Sequence, residues 1–150
     1  FSAALTGPGS LTLNGAGTVT LNGANSYSGH TTVESGTLSV TRSLASAVTV
    51  QGSATFDLSG KLAISGATAP VVTVDSGGFF DLSGSVTGDV SNFGTTTVET
   101  SGAIVGDVTN GGTFTNNGTV TGTVTTTGRA QGAAPVPDLA VPSSRPPASG

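Results

Sequence analysis

Residues 17–40 read GTVTLNGANSYSGHTTVESGTLSV, and their spacing decides the fold class. Val19 and Leu21 alternate with Thr18, Thr20 and Asn22. An Asn/Gly/Ser stretch follows, then Thr31 to Val33, then Glu34-Ser35-Gly36, then Leu38 and Val40 around Ser39. Apolar residues at every second position, bounded by turn formers, predict short strands with one buried face. No stretch of the chain carries the 3.6-residue apolar period of a helix.

Beyond this stretch the chain repeats itself. AVTVQGSATFDLSGKLAISG (47–66) aligns without gaps on VVTVDSGGFFDLSGSVTGDV (71–90), a period of 24 residues. A looser repeat follows in VTGDVSNFG (86–94), IVGDVTNGG (104–112) and VTGTVTTTG (120–128). Valines closing a strand before a polar turn fall at Val33, Val50, Val74, Val90, Val108 and Val124, in steps of 17, 24, 16, 18 and 16. Periods of this size predict a solenoid whose rungs hold three short strands and stack at the ~4.8 Å strand spacing. One rung cannot bury its apolar side chains alone, so several must stack. The reading is all-β: a right-handed parallel β-helix of about six rungs over residues 1–128. The expected interior is Leu11, Leu13, Val19, Leu21, Leu38, Val40, Phe56, Leu58, Leu62, Ile64, Val72, Val74, Phe80, Leu82, Val86, Val98, Ile104, Phe114 and Val120. Gly36, Gly60, Gly84, Gly94, Gly112, Gly118 and Gly128 are expected as turn residues with positive φ.

Residues 129–150 change character and hold five prolines of the chain's seven. Proline cannot serve the interior strands of a stack, so this segment reads as an extended or disordered tail or linker.

The opening stretch also resembles the passenger-associated transport repeat of bacterial autotransporters. Leu21, Gly23, Asn25, Tyr27, Gly29, Thr31, Val33, Gly36, Leu38 and Val40 all fall on that family's pattern. The resemblance implies a secreted, surface-displayed parallel β-helix with a role in export, and a linker toward a further domain such as an outer-membrane barrel. Passengers of this family cross an oxidising periplasm unfolded, and the absence of cysteine fits that.

Composition narrows the chemistry. Only 8% of residues are charged, and the net charge is −4. Arg42, Lys61, Arg129 and Arg145 are scattered singly, so no basic patch is available to neutralise phosphates, and nucleic acid is not an expected partner. No apolar run approaches the ~20 residues of a membrane span. The chain begins at Phe1 and is expected to be a mature form or a fragment.

Three groups of side chains are candidates for chemistry. His30 is the sole histidine and the chain has no cysteine, so a zinc site lacks ligands and His30 reads as a solvated loop residue. Asp57 and Asp81 occupy equivalent outward repeat positions, and Asp89 and Asp107 recur in Gly-Asp-Val. Stacked pairs of carboxylates can bind calcium or serve as glycosidase acid and base. With one Lys, no Trp and one Tyr, a sugar-processing site lacks its usual platform, and a solvated acidic face is expected instead. Thr-rich strands such as TTTV (95–98) and TFT (113–115) suggest outward hydroxyl rows, the default of any exposed strand. The sequence therefore assigns no catalytic, cofactor or metal residue. The expected function is a non-catalytic extracellular stalk or adhesin segment; a filament subunit associating through open coil ends, and a polysaccharide-acting enzyme, are the alternatives. Expected partners are a host or cell-surface ligand, or further copies of the chain.

Overall fold

A computed structural model describes residues 4–64, 70–127 and 129–132, the last four by backbone alone. Among the described residues twenty strands, numbered in chain order, fall into three sheets in which all pairings are parallel. The first sheet contains β1 (Leu11–Leu13), β4 (Thr31–Val33), β7 (Val48–Val50), β10 (Val72–Val74), β13 (Val90–Asn92), β16 (Val108–Asn110) and β19 (Val124–Thr126). The second contains β2 (Thr18–Leu21), β5 (Thr37–Val40), β8 (Thr55–Leu58), β11 (Phe79–Leu82), β14 (Thr95–Val98), β17 (Thr113–Asn116) and β20 (Arg129–Gly132). The third contains β3 (Ala24–Asn25), β6 (Ser43–Leu44), β9 (Lys61–Ala63), β12 (Ser85–Thr87), β15 (Ala103–Val105) and β18 (Thr119–Val120). Every third strand in the chain pairs with the next of its sheet, which is the topology of a parallel β-solenoid of about six turns.

The 24-residue repeat is one full turn. Val48 and Val72 are partners, as are Phe56 and Phe80, Asp57 and Asp81, and Leu58 and Leu82. Their rings stack at 5.2 Å between centroids, 10° from parallel. The remaining turns follow from Leu11↔Thr31, Thr31↔Val48, Val72↔Val90, Val90↔Val108 and Val108↔Val124, so rung length varies from 16 to 24 residues. Turns absorb the variation; the strands keep register because a slip of one residue would turn each buried set outward.

Fifteen of the expected interior residues are buried. Leu11, Leu13, Val19 and Ile64 are half-covered and pack against the core from its margins. The first three belong to the first described rung, which has a neighbour on one side only among the described residues. The spaced valines do not form one column. Val33, Val50 and Val74 stack at the ends of their strands, whereas Val90, Val108 and Val124 stack under Val48 and Val72 at the starts. The step from Val74 to Val90 crosses between columns, and Asn92 takes the place under Val74.

The glycine expectation is corrected as well. Among its described members only Gly36 has a positive φ, of 79°. The others, Gly84 for example, answer to a close approach: a Cβ there would run into the backbone carbonyl of Gly60 in the rung beside it. Gly128 lies outside the described residues. Arg129–Gly132, read from sequence as the start of the tail, pair with β17 and carry the coil four residues further. Residues 133–150 lie outside the described residues.

Candidate functional site

The most elaborate side-chain arrangement lies where the transport-repeat pattern was read. Asn25, the inward residue of β3, is buried with its amide fully used. Its Oδ1 accepts the Leu5 N–H at 3.0 Å, and its Nδ2 donates to the carbonyls of Gly23 at 2.9 Å and Ser43 at 3.3 Å. The side chain thus ties three successive passes of the chain together. Two residues on, Tyr27 is buried with its hydroxyl 2.6 Å from Thr31 Oγ1, which lies 2.8 Å from Ser46 Oγ. Ser46 Oγ donates to the Gly29 carbonyl at 2.6 Å. A hydroxyl carries one proton, so this last bond sets the direction of the rest: Tyr27 donates to Thr31, Thr31 to Ser46, and Ser46 to Gly29. Burial pushes the Tyr27 pKa above its ordinary value, partly opposed by the bonds to Thr31 and Ser46, which keeps the phenol in its donor form.

The remaining pattern positions have equally physical roles. Leu21, Val33, Leu38 and Val40 fill the core. A side chain on Gly29 would collide with the backbone of Gly9, and one on Gly36 with the carbonyls of Gly15 and Gly17. Nine of the ten residues are therefore accounted for by packing, backbone approach or the polar corner, and Gly23 lends that corner its carbonyl.

The acidic candidates separate into two kinds. Asp57 and Asp81 stand side by side, half-buried, on the outer face of the second sheet. Burial raises the pKa of Asp57, with the Asp81 charge adding to it. Asp81 is pushed up to about 6, first by burial, then by a hydrogen bond to Glu99 and that residue's charge. Asp89 and Asp107 work within the coil instead. Asp89 Oδ1 accepts the Asp107 N–H, and Asp107 Oδ1 accepts the Thr123 N–H, both at 2.9 Å. The recurring Gly-Asp-Val is a turn clamp repeated rung upon rung. Among the described residues no group of three or more His, Cys, Asp or Glu is placed to hold a metal ion.

His30 Nε2 lies 2.7 Å from Thr49 Oγ1 on the outer face of the first sheet. That face carries a continuous hydroxyl row: Thr12, Thr32, Thr49, Thr73, Ser91, Thr109 and Thr125. The corresponding rows of the second sheet are broken by Phe79, Asp57 and Asp81. A shallow groove lies on the third sheet, floored by Ala24, Ser43, Ala45 and Ala63 with Lys61 at its side. The groove and the Asp57–Asp81 pair are thus on different faces of the coil.

Sequence reasoning missed the buried polar residues Thr31, Ser46, Asn92, Thr96, Asn110 and Asn116 as interior positions. The signal was present in part: Asn-x-Gly recurs at 92–94, 110–112 and 116–118, and in each the Asn Oδ1 accepts the N–H of the glycine two residues on, at 3.0 to 3.2 Å.

The family profile of the passenger-associated transport repeat matches residues 11–40. Comparison with curated proteins and with solved structures gave no match.

Proposed function

Since residues 11–40 carry a passenger-associated transport repeat within a β-solenoid, we propose that the chain is a non-catalytic segment of an autotransporter-like passenger, secreted and displayed at the bacterial surface as a rigid stalk. The observation that carries this reading is the coincidence of the repeat with the hydrogen-bonded corner around Asn25 and Tyr27. That corner pins three passes of chain to one another, so these rungs give their neighbours a ready edge to stack upon during export. About six turns at ~4.8 Å make a rod section near 30 Å long, held by axial hydrogen bonds and stacked apolar columns. Its work is to hold whatever follows or precedes it away from the membrane, and any adhesive surface would be presented along it.

The test is surface display of this chain fused ahead of an outer-membrane β-barrel. Export should fall when Asn25→Ala and Tyr27→Ala break the corner. It should persist in Asp57→Asn with Asp81→Asn, which leave the corner intact. Undiminished display of the corner variant would remove the link between repeat and export.

The half-covered leucines of the opening rung favour a second reading, association of copies through coil ends. Unpaired parallel edges recruit further strands. Leu5→Lys with Thr125→Lys should then shift sedimentation toward monomer without changing β content, and unchanged sedimentation would discard this reading.

A further inference from the structure

Four Asn-Gly pairs occur in the chain, at 14–15, 22–23, 110–111 and 117–118. In any such pair the glycine nitrogen can attack the asparagine side-chain carbonyl. Two features of the native fold govern that attack: whether the glycine N–H is held in a hydrogen bond, and whether a donor faces the oxygen on which negative charge develops.

At three pairs the nucleophile is tied. The Gly15 N–H donates to Ser35 Oγ at 2.8 Å, Gly111 to the Asn92 carbonyl at 2.7 Å, and Gly118 to Asn116 Oδ1 at 3.0 Å. The pair at 22–23 differs from all three on the first count, while on the second it resembles Asn110, whose Oδ1 accepts from Asn92 Nδ2 at 2.7 Å and from the Gly112 N–H at 3.2 Å. The Gly23 N–H has no hydrogen-bond partner among the described residues. The Thr41 hydroxyl donates to Asn22 Oδ1 at 2.7 Å. Asn22 is exposed, so water reaches its side chain; Gly23 itself is buried, so base reaches its nitrogen only from the Asn22 side. At Asn14, by contrast, the bond to a neighbour is made through Nδ2, which donates to Glu34 Oε1 at 2.8 Å.

We propose that Asn22–Gly23 is a self-modification site, the one Asn-Gly pair that the native fold leaves poised for succinimide formation. The Gly23 nitrogen gives up its proton to solvent base and bonds to Asn22 Cγ. The tetrahedral intermediate places its negative charge on Oδ1, which faces the Thr41 hydroxyl, a donor aimed where charge develops. The Cγ–Nδ2 bond then breaks and ammonia leaves with the returned proton. Water opens the ring at either carbonyl, giving aspartate or isoaspartate; no electrons are exchanged. The product puts a carboxylate, and in the iso form an extra backbone methylene, between β2 and β3 of the repeat-bearing rung.

The experiment is peptide mapping by mass spectrometry of folded protein aged in mildly alkaline buffer, against the same chain aged in denaturant. Folded protein should gain the mass of an amide-to-acid exchange at Asn22 well before the other three pairs. In denaturant the four should convert at similar rates. Thr41→Val, which keeps shape and removes the donor, should slow conversion at Asn22 in folded protein by roughly threefold to tenfold, less than an enclosed oxyanion site loses because Asn22 is exposed. Circular dichroism of Thr41→Val establishes that it is folded. The proposal is overturned if Asn14, Asn110 or Asn117 converts as fast as Asn22 in folded protein, if Asn22 resists conversion there, or if folded Thr41→Val ages at the wild-type rate.

Discussion

The rungs around residues 21–46 and those around residues 90–118 both bury polar side chains, yet they manage them differently. In the first region the polar groups gather at one corner and close on themselves. Each amide atom of Asn25 has a partner, and the hydroxyls of Tyr27, Thr31 and Ser46 run in one direction to a backbone carbonyl. In the second region they occupy positions within otherwise apolar columns. Asn92 and Asn110 succeed Val33, Val50 and Val74, and Asn92 Nδ2 donates to Asn110 Oδ1 at 2.7 Å. Thr96 interrupts the column of Phe56, Phe80 and Phe114, and Asn116 ends that of Leu82 and Val98. The Thr96 hydroxyl and the Asn116 Nδ2 are buried without a partner. A buried polar group left unpaired costs ~1–3 kcal/mol, while a paired one is close to neutral or favourable. The corner therefore specifies register at little cost, and the later columns keep register through stacking while carrying an energetic debit.

The sharpest way to break this contrast is to remove what compensates the second region. Phe80→Ala deletes a fully buried ring that stacks on Phe56 and lies beside Thr96. It should destabilise the fold by ~3–5 kcal/mol in chemical denaturation. A change near zero would show that the column is not what holds these rungs. On the other side of the comparison, Tyr27→Phe removes the first donor of the corner and leaves Thr31 Oγ1 short of a bond. A loss of ~1–2 kcal/mol is expected by the same measurement. Thr96→Val should act in the opposite sense. It replaces an unpaired hydroxyl by a methyl among phenylalanines and should stabilise by about 1 kcal/mol.

The outer surface extends the comparison to charge. Folding raises the pKa of Asp81 to about 6, so the folded chain holds its proton more tightly than the unfolded chain does. Stability is then greatest where Asp81 is protonated, falls as pH rises through about 6, and levels off above it. Melting temperature should therefore rise modestly between about pH 7.5 and about pH 5, and Asp81→Asn should be at least as stable as wild type at neutral pH with this rise diminished. An unaltered slope in the variant would place the effect elsewhere. The effect is small because Asp81 is in part exposed to water and salt.

Much of this was legible in the chain. Alternation of Val, Leu and Phe with Thr and Asp gave the strands, and the copied Phe-Asp-Leu-Ser-Gly gave one full turn in correct register, because a 24-residue repeat leaves no room for a different alignment. The later turns were harder. Steps of 16 and 18 are mixtures of rung length and column change, and valine at either end of a three-residue strand looks the same in sequence. Buried asparagine and threonine were illegible as core because their burial depends on partners a full rung away: Asn92 needs Asn110, and Thr31 needs Tyr27 and Ser46. The polar corner could be located through Asn25 and Tyr27 in the repeat pattern, but the direction of its hydrogen bonds required the positions of Ser46 and Gly29.

The central claim is the stacking register, and the absence of cysteine allows it to be tested with engineered pairs. Thr49 and Thr73 face outward on adjacent strands as direct partners, whereas Thr49 and Ser91 are two rungs apart. Adjacent strands lie ~4.8 Å apart, within disulfide reach, and alternate strands do not. Under mild oxidation, Thr49→Cys with Thr73→Cys should form an intramolecular disulfide quantitatively, while Thr49→Cys with Ser91→Cys should remain reduced. A disulfide in the second pair, or none in the first, would contradict the 24-residue turn and the solenoid built on it.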